Sequence, residues 1–312
     1  MRKIVLGLLM IIVLSCTKDE TFALATLTTE TPSFITAVTA SSGGIIDSDG
    51  GSDITNKGVV WNTSTNPTID LKYKTTDGFG VGYYPSRITG LRNGTKYYLR
   101  AYATNKGGTA YGNEVIFTTL TIIDLPSVAI GSQIWTTKNL DVTTYRDGTV
   151  IPQVTDPAQW QRLGTGAWCY QSNNSANDPT YGKLYNWYAV NDPRGLAPVG
   201  YHIPSDAEWN TLTNHLGGIS VAGGKMKEIG ISHWESTSDS VTNESGFLGL
   251  PGGYRYTSEG AFTGTGSQAC WWTSTTSSCC SSYNRCLYSN SSVLISNSYY
   301  QSGGLSVRCI KD

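Results

Sequence analysis

Short strand-like runs separated by turn residues fill the chain from about 27 to 120, and this spacing strongly constrains the fold. Turns rich in glycine, serine and aspartate stand at 41–44 and 47–52. Between 95 and 105 apolar and polar residues alternate, and the face that we expect to be buried carries Tyr97, Leu99, Ala101 and Ala103. Regularly spaced short strands of this kind predict a β-sandwich over residues 27–120.

The chain begins with a pattern typical of exported proteins. Met1-Arg2-Lys3 precedes an apolar run at 4–14 that is too short to span a bilayer. Val13-Leu14-Ser15-Cys16 resembles the lipobox of bacterial lipoproteins, which implies a signal peptide at 1–15 and a lipid on Cys16. Thr17-Lys18-Asp19-Glu20 resembles the signal that sends lipoproteins of Bacteroidota to the outside of the outer membrane. We therefore predict a surface-exposed bacterial outer membrane lipoprotein with a tether at 16–26.

The part of the chain after a predicted linker at 121–127 combines helix and strand signals. Ser205 and Glu208 have the spacing of a capping box, followed on one helix face by Trp209, Leu212 and Leu216. Gly217 and Gly218 end this helix. A second helix is predicted from the spacing of Leu184, Trp187 and Tyr188. The expected fold class is mainly β, with an α+β C-terminal domain at 128–312.

The segment Ser274–Gly304 has an unusual composition. Its 31 residues include 11 Ser, 4 Tyr, 3 Asn and 3 Cys, and Arg285 is its only charged residue. A disordered linker would be poorer in aromatic residues and richer in charge. Tyrosine, serine and asparagine are favoured in antibody-type binding surfaces, so the segment predicts a recognition surface held between two strands. A polar hairpin region with ordinary solvent-facing residues is the alternative.

Six cysteines follow the predicted lipid-bearing Cys16, and all of them lie in the C-terminal half. An exported chain permits disulfides, and six cysteines allow 15 full pairings. A pair between Cys169 and Cys309 is our first expectation, because both stand beside core-like residues. The closely paired ligands of a zinc site are absent from the sequence, and the adjacent Cys279 and Cys280 are poorly placed to pair with each other.

Two resemblances to known families follow from ordered motifs. The stretch Leu91–Thr119 resembles the second half of fibronectin type III-like modules, where Tyr97 would be the corner tyrosine and the module a spacer. Residues from about 126 to 312 resemble the Fibrobacter succinogenes major paralogous domain. That resemblance is carried by Ile130-Gly-x-Gln-x-Trp135, Tyr181-Gly-x-Leu-Tyr185, Pro204-Ser-Asp-Ala-Glu-Trp209, Leu250-Pro-Gly-Gly-x-Arg255, Trp271-Trp-x-Ser-Thr275 and Ser306-Val-Arg-Cys309.

The second resemblance implies a C-type-lectin-like domain, in which two helices pack on a twisted antiparallel sheet. In related proteins diversified by retroelements, mutagenesis of Asn codons scatters Tyr, Ser, Asn and Cys over solvent-facing positions of this C-terminal region, and the present composition is similar. We expect Cys286 to be exposed, with Leu287 and Val293 turned inward. The candidate ligand-binding residues are Tyr283, Asn284, Tyr288, Asn290, Asn297, Tyr299 and Tyr300.

Several functional classes are disfavoured. His202, His215 and His233 stand apart, and none has a nucleophile at a recognisable motif spacing, so no enzyme activity or cofactor is predicted. The segment from Trp271 to Cys309 contains no Asp or Glu, so no calcium site is expected there. A net charge of −1 without a basic cluster argues against a nucleic-acid partner.

The sequence therefore favours a membrane-anchored adhesion or recognition protein whose Tyr/Ser/Asn-rich face binds an unknown protein or glycan. A structural surface protein without a specific ligand, and metal-independent carbohydrate binding, are the alternatives. Trp271 and Trp272 are possible stacking platforms for a sugar, but the resemblance implies that at least one of them belongs to the core.

Overall fold

The computed structural model of the protein describes residues 21–237 and 240–312. The predicted signal peptide at 1–15 and the predicted lipidation at Cys16 lie outside the described residues. The chain divides into two compact units, of which the first ends at Thr119 and the second runs from Leu120 to Asp312. Strands dominate the described part, so the prediction of a mainly β chain is confirmed. Within that part, the helices are all too short or too polar to cross a membrane.

The first unit is a sandwich of two antiparallel sheets, as predicted. One sheet has the order β1-β2-β4, and the other has the order β3-β5-β6 with β7 also paired to β5. Side chains from both sheets meet between them, which accounts for the alternating burial along the strands. The strands are β1 (Thr26–Thr29), β2 (Ala40–Ser48), β3 (Asn56–Asn62), β4 (Gly82–Ile88), β5 (Lys96–Asn105), β6 (Gly108–Tyr111) and β7 (Val115–Thr118).

The central strand β5 shows how the pattern produces the sandwich. Its predicted core face is buried along its whole length. Tyr97 closes the corner, because its hydroxyl accepts a hydrogen bond from the backbone N–H of Arg92 at 3.0 Å. Tyr102 lies on the other face and is also buried, since its hydroxyl donates to the carbonyl oxygen of Thr75 at 2.6 Å. Both faces of this strand are therefore covered near its C-terminal end.

The second unit contains three sheets among its described residues. Their strand orders are β10-β11, β12-β18-β9-β8 and β14-β13-β15-β16-β17, and only the pairing of β13 with β15 is parallel. The strands are β8 (Ser127–Ile130), β9 (Gln133–Thr136), β10 (Trp168–Tyr170), β11 (Lys183–Tyr185), β12 (Tyr201–His202), β13 (Gly252–Arg255), β14 (Phe262–Thr265), β15 (Gln268–Thr276), β16 (Ser281–Tyr288), β17 (Ile295–Tyr300) and β18 (Ile310–Lys311).

Short helices lie among these strands, and the clearest of them begins as predicted. Glu208 N–H donates to the Ser205 hydroxyl at 3.3 Å, and the Glu208 carboxylate accepts from Ser205 N–H at 2.8 Å, which completes the capping box. The second predicted helix is present only as the single turn Trp187–Val190, which the Asn186 side chain caps, because Leu184 belongs to strand β11. The helices are α1 (Pro157–Gln161), α2 (Asp178–Tyr181), α3 (Trp187–Val190), α4 (Asp206–His215) and α5 (Ile219–Met226), with 3-10 turns at Gln171–Asn173 and Ser175–Asn177.

Strand β15 has both faces in the core, because helices cover one face and strands with loops cover the other. Trp271 packs with Trp209 of α4 and Met226 of α5, whereas Trp272 packs with Tyr185 and Trp187 in a separate cluster. Both indoles are fully buried, and the nitrogen of Trp272 donates to the Tyr185 carbonyl oxygen at 2.8 Å. Both tryptophans therefore belong to the core rather than to a sugar-stacking platform.

The cysteine pairing differs from the expectation. Cys270 of β15 and Cys286 of β16 stand opposite each other in adjacent strands and form a disulfide. The predicted pair of Cys169 and Cys309 is wrong, and both remain buried thiols whose pKa is raised to about 12 by burial. Cys286 is also not exposed, because it lies on the inward face of β16. The sequence could not reveal this pairing, since it depends on strand register.

Candidate functional site

The Tyr/Ser/Asn-rich segment forms the β16–β17 hairpin at one edge of its sheet. Strand β16 pairs with the core strand β15 on one side and with β17 on the other. Strand β17 is the last in this sheet, and its middle residues are exposed. The segment is therefore an ordered part of the sheet, paired with the core strand that carries the two buried tryptophans.

Strand geometry divides the predicted contact residues between two faces, because successive side chains of a strand point in opposite directions. Adjacent residues such as Tyr299 and Tyr300 therefore leave the strand on opposite faces, although their ring centroids are 6.5 Å apart. The cross-strand partners Asn284 and Asn297 fix the register, so their face also carries Tyr288 and Tyr299. Tyr283 and Tyr300 lie on the opposite face, and Asn290 is exposed in the turn between the strands.

The four residues on the first face line a small pocket of about 70 Å³. The Cys270–Cys286 disulfide forms part of its wall and joins the two strands beneath it. The lining contains phenol rings and side-chain amides, and no charged residue. Besides the disulfide, the pocket is lined by Tyr254, Gln268, Asn284, Tyr288, Asn297, Ser298, Tyr299 and Leu305.

The tyrosines of this pocket form part of an aromatic cluster. The rings of Tyr254 and Tyr299 meet edge to face with centroids 5.5 Å apart, and Tyr256 packs on Tyr254 at 5.2 Å. Trp272 lies 6.4 Å from Tyr299. Burial raises the pKa of Tyr299 to about 12, and burial also raises the pKa of Tyr254. These phenols are therefore neutral at physiological pH, and each can both donate and accept a hydrogen bond.

Asn284 is the most enclosed of the predicted contact residues. Only 3% of its surface is exposed, yet it lines the pocket. Its side-chain amide can donate a hydrogen bond to, and accept one from, a polar group that enters the pocket.

The opposite face of the hairpin is fixed to helix α4 through the segment's only charge. Arg285 is buried, and its guanidinium forms an ion pair with Asp206 at 2.8 Å and donates to the Asn210 side-chain oxygen at 2.9 Å. Since Arg285 points away from the pocket, the pocket face carries no charge.

Sequence reasoning missed a buried lysine that holds the turn of the hairpin. The Nζ of Lys227 donates to the carbonyl oxygens of Tyr288, Ser289 and Ser291 at 2.9, 3.2 and 2.8 Å. Its ammonium also lies 5.3 Å from the ring centre of Trp234. Burial lowers the pKa of Lys227. No local sequence signal distinguishes this residue from its neighbour Lys225, which pairs with Glu244 nearer the surface.

Tyr254 and Gln268 of the pocket were also missed, because both precede the Tyr/Ser/Asn-rich segment. Tyr254 lies within the Leu250–Arg255 motif, which was noted only as carrying the family resemblance. The parallel pairing of Gly253 with Ala269 brings these two residues to the pocket. A parallel bridge between β13 and β15 was not predictable from local alternation.

The histidines occupy separate environments. His202 lies between Glu208 and Asp312, at 2.8 and 2.7 Å, and His233 contacts Glu228 at 2.8 Å. The His215 ring lies against Gly131, where a side chain would collide with it. Within residues 21–237 and 240–312, no group of three or more His, Cys, Asp or Glu side chains is placed to hold a metal ion.

Comparison with solved structures gives only partial likenesses. The sensor domain of the anti-sigma factor RsgI4 from Pseudobacteroides cellulosolvens is 16% identical, covering 31% of this chain and 96% of that one, with a TM-score of 0.25. The sixth fibronectin type III domain of human fibronectin type III domain containing protein 3 is 18% identical, covering 34% and 96%, with a TM-score of 0.26. TM-scores this low do not establish a shared fold. No curated protein sequence matches the chain.

The family comparison is more extensive. The profile of the Fibrobacter succinogenes major domain matches residues 128–311, which is more than half of the chain and includes the pocket, the disulfide and both core tryptophans. This match agrees with the ordered motifs of the sequence. The chain therefore belongs to the Fibrobacter succinogenes major domain family.

Proposed function

We propose that the second unit is a non-enzymatic recognition module that binds a protein or glycan through the pocket of the β16–β17 hairpin. The observation that carries this proposal is a pocket lined by phenols and amides, without charge, on a stiff sheet. Tyrosine rings offer apolar contact together with a polar tip, and amides donate and accept hydrogen bonds. Such a lining suits an uncharged polar group.

The size of the pocket limits what enters it. Pockets for whole small molecules are about 300–1,000 Å³, whereas this one is about 70 Å³. It therefore accepts one group of a larger ligand, whose remainder lies on the exposed edge of β17. Binding surfaces commonly concentrate affinity in a central pocket of this kind.

The rest of the chain supports display of this module at a cell surface. A lipid on Cys16 would anchor the protein to the outer membrane, and the first unit would serve as a fibronectin type III-like spacer. We assign the second unit a C-type-lectin-like scaffold, on which the hairpin residues are the positions diversified by a retroelement. The alternation of Tyr, Asn and Ser along β16 and β17 supports that part of the proposal.

The test compares substitutions on the two faces of the hairpin. Asn297→Ala and Tyr288→Phe change the pocket face, whereas Tyr300→Ala and Asn290→Ala change exposed residues outside the pocket. The purified chain is screened on glycan arrays and against cell-surface proteins. For any ligand found, we expect the first pair to weaken binding at least about tenfold, or about 1.4 kcal/mol, and the second pair to have little effect.

Other outcomes would favour different functions. Equal losses from Tyr300→Ala and Asn297→Ala would show that the pocket is not the contact site. No ligand on either screen would favour a structural surface protein. Binding confined to glycans and unaffected by a metal chelator would identify metal-independent carbohydrate recognition, the second candidate.

A further inference from the structure

A separate pocket of about 200 Å³ opens in the first unit, near the end of β3 and the turn that precedes β5. It is independent of the hairpin and of the proposed function of the second unit. The residues around it are Trp61, Asn62, Thr63, Tyr73, Gly90, Arg92 and Tyr97.

Aromatic rings form one wall of this pocket. The rings of Trp61 and Tyr73 lie 6.4 Å apart at an interplanar angle of 34°. The backbone N–H of Trp61 donates to the Tyr73 carbonyl oxygen at 3.1 Å, which holds the two residues together. Tyr97 is fixed from below by its hydrogen bond to the Arg92 backbone. Of these three rings only Tyr73 is exposed, at 49%, whereas Trp61 and Tyr97 lie in the core.

Two hydrogen-bond donors at this pocket have no partner among the described residues. Trp61 is 5% exposed, and its indole N–H, which can only donate, has no acceptor there. The guanidinium of Arg92 is exposed and forms no ion pair with a carboxylate of the described part of the chain. No Asp or Glu lines the pocket.

We propose that this pocket binds a carboxylated sugar, such as a uronic acid residue of an acidic polysaccharide. The Arg92 fork matches the geometry of a carboxylate and gives charge-assisted hydrogen bonds. The apolar face of the sugar ring packs on the exposed ring of Tyr73, and the indole N–H of Trp61 donates to a ring hydroxyl. The volume is below that of a pocket for a drug-sized ligand, so the site holds one sugar residue.

The experiment uses the purified chain and two probes of equal size, D-glucuronate and D-glucose. Binding is followed by the NMR signal of the Trp61 indole N–H, which is assigned with Trp61→Phe. We expect a saturable shift with glucuronate, at least fivefold weaker binding in Arg92→Gln, and weaker binding at high salt, because salt screens an exposed charge. Arg87→Gln is the matched control, since Arg87 is an exposed arginine of β4 that does not line the pocket.

Three results would overturn the proposal. The first is the absence of any glucuronate-dependent shift in the wild-type chain. The second is equal affinity for glucose and glucuronate, which would show that the carboxylate is not recognised. The third is equal weakening by Arg87→Gln and Arg92→Gln, which would indicate a general effect of net charge. Unchanged melting temperatures of the two arginine variants exclude unfolding as the cause.

Discussion

Lys227 shows how one buried side chain can hold the recognition hairpin in place. Its ammonium group donates hydrogen bonds to three carbonyl oxygens of the β16–β17 turn, and it has no carboxylate partner among the described residues. The three residues that supply these carbonyls are half-buried, whereas the lysine itself is buried. The side chain therefore acts as a clamp, and the cost of burying its charge is offset only while all three hydrogen bonds persist.

Replacing Lys227 with methionine should loosen this turn and destabilise the second unit by about 2 kcal/mol, because three half-buried carbonyl groups lose their donor. Chemical denaturation measures the stability, and hydrogen exchange of the amides at 289–294 measures the loosening. Lys225→Met is the control, since its ion pair with Glu244 is partly exposed and worth at most about 1 kcal/mol. Equal effects of the two substitutions would contradict the clamp.

At this scale the sequence predicted which large apolar residues are buried but not which polar residues are. The family resemblance implied a core position for at least one of Trp271 and Trp272, and both are buried. The burial of Lys227 and Asn284 was not, because it depends on distant segments that cover them. Composition located the hairpin, whereas the pocket within it required the three-dimensional register.

A histidine beside the first turn of helix α4 makes contacts whose strength depends on pH. His202 of β12 contacts Glu208 in the first helical turn and Asp312 after β18. Partial burial lowers the pKa of His202, but the hydrogen bonds to Asp312 and Glu208 outweigh this effect and raise the pKa above its usual value. Protonated His202 thus ties two elements of one sheet to the helix.

The resulting prediction concerns stability between about pH 6 and 8. Because the folded pKa of His202 is raised, its contribution is complete below the unfolded value of about 6.5 and is lost as pH rises through the folded value. The melting temperature of the second unit should therefore fall over this range, and His202→Gln should flatten the fall. The lowered pKa of Glu208 acts in acid, outside this window. An unchanged slope in His202→Gln would refute the assignment.

Helices and strands that depend on neighbouring residues were predicted from the sequence. Those that depend on pairing between distant segments were not. The capping box of α4 needs only residues 205 and 208, so its prediction is confirmed. Gly304, Leu305 and Ser306 make single bridges to three different strands, and no local pattern indicates these partners. The second predicted helix is shortened to α3, because pairing of Lys183–Tyr185 with β10 places Leu184 in a strand.

At the scale of the whole molecule, the two units have separate cores. The clusters around Val59 and Ile46 contain residues of the first unit only, and those around Trp271 and Trp272 contain residues of the second only. A unit with its own core can unfold cooperatively by itself. The only disulfide among the described residues lies in the second unit, and the first unit has no cysteine among its described residues.

Calorimetry of the chain should consequently show two transitions that respond to different changes. The Cys270–Cys286 disulfide spans 16 residues, and a loop of this size contributes about 3 kcal/mol. Reduction should therefore lower only the transition of the second unit, by about 6–12 °C for a domain of its size. Val59→Ala, which opens a cavity in the first core, should lower only the other transition. If reduction and Val59→Ala each moved both transitions together, the two cores would have to unfold as one.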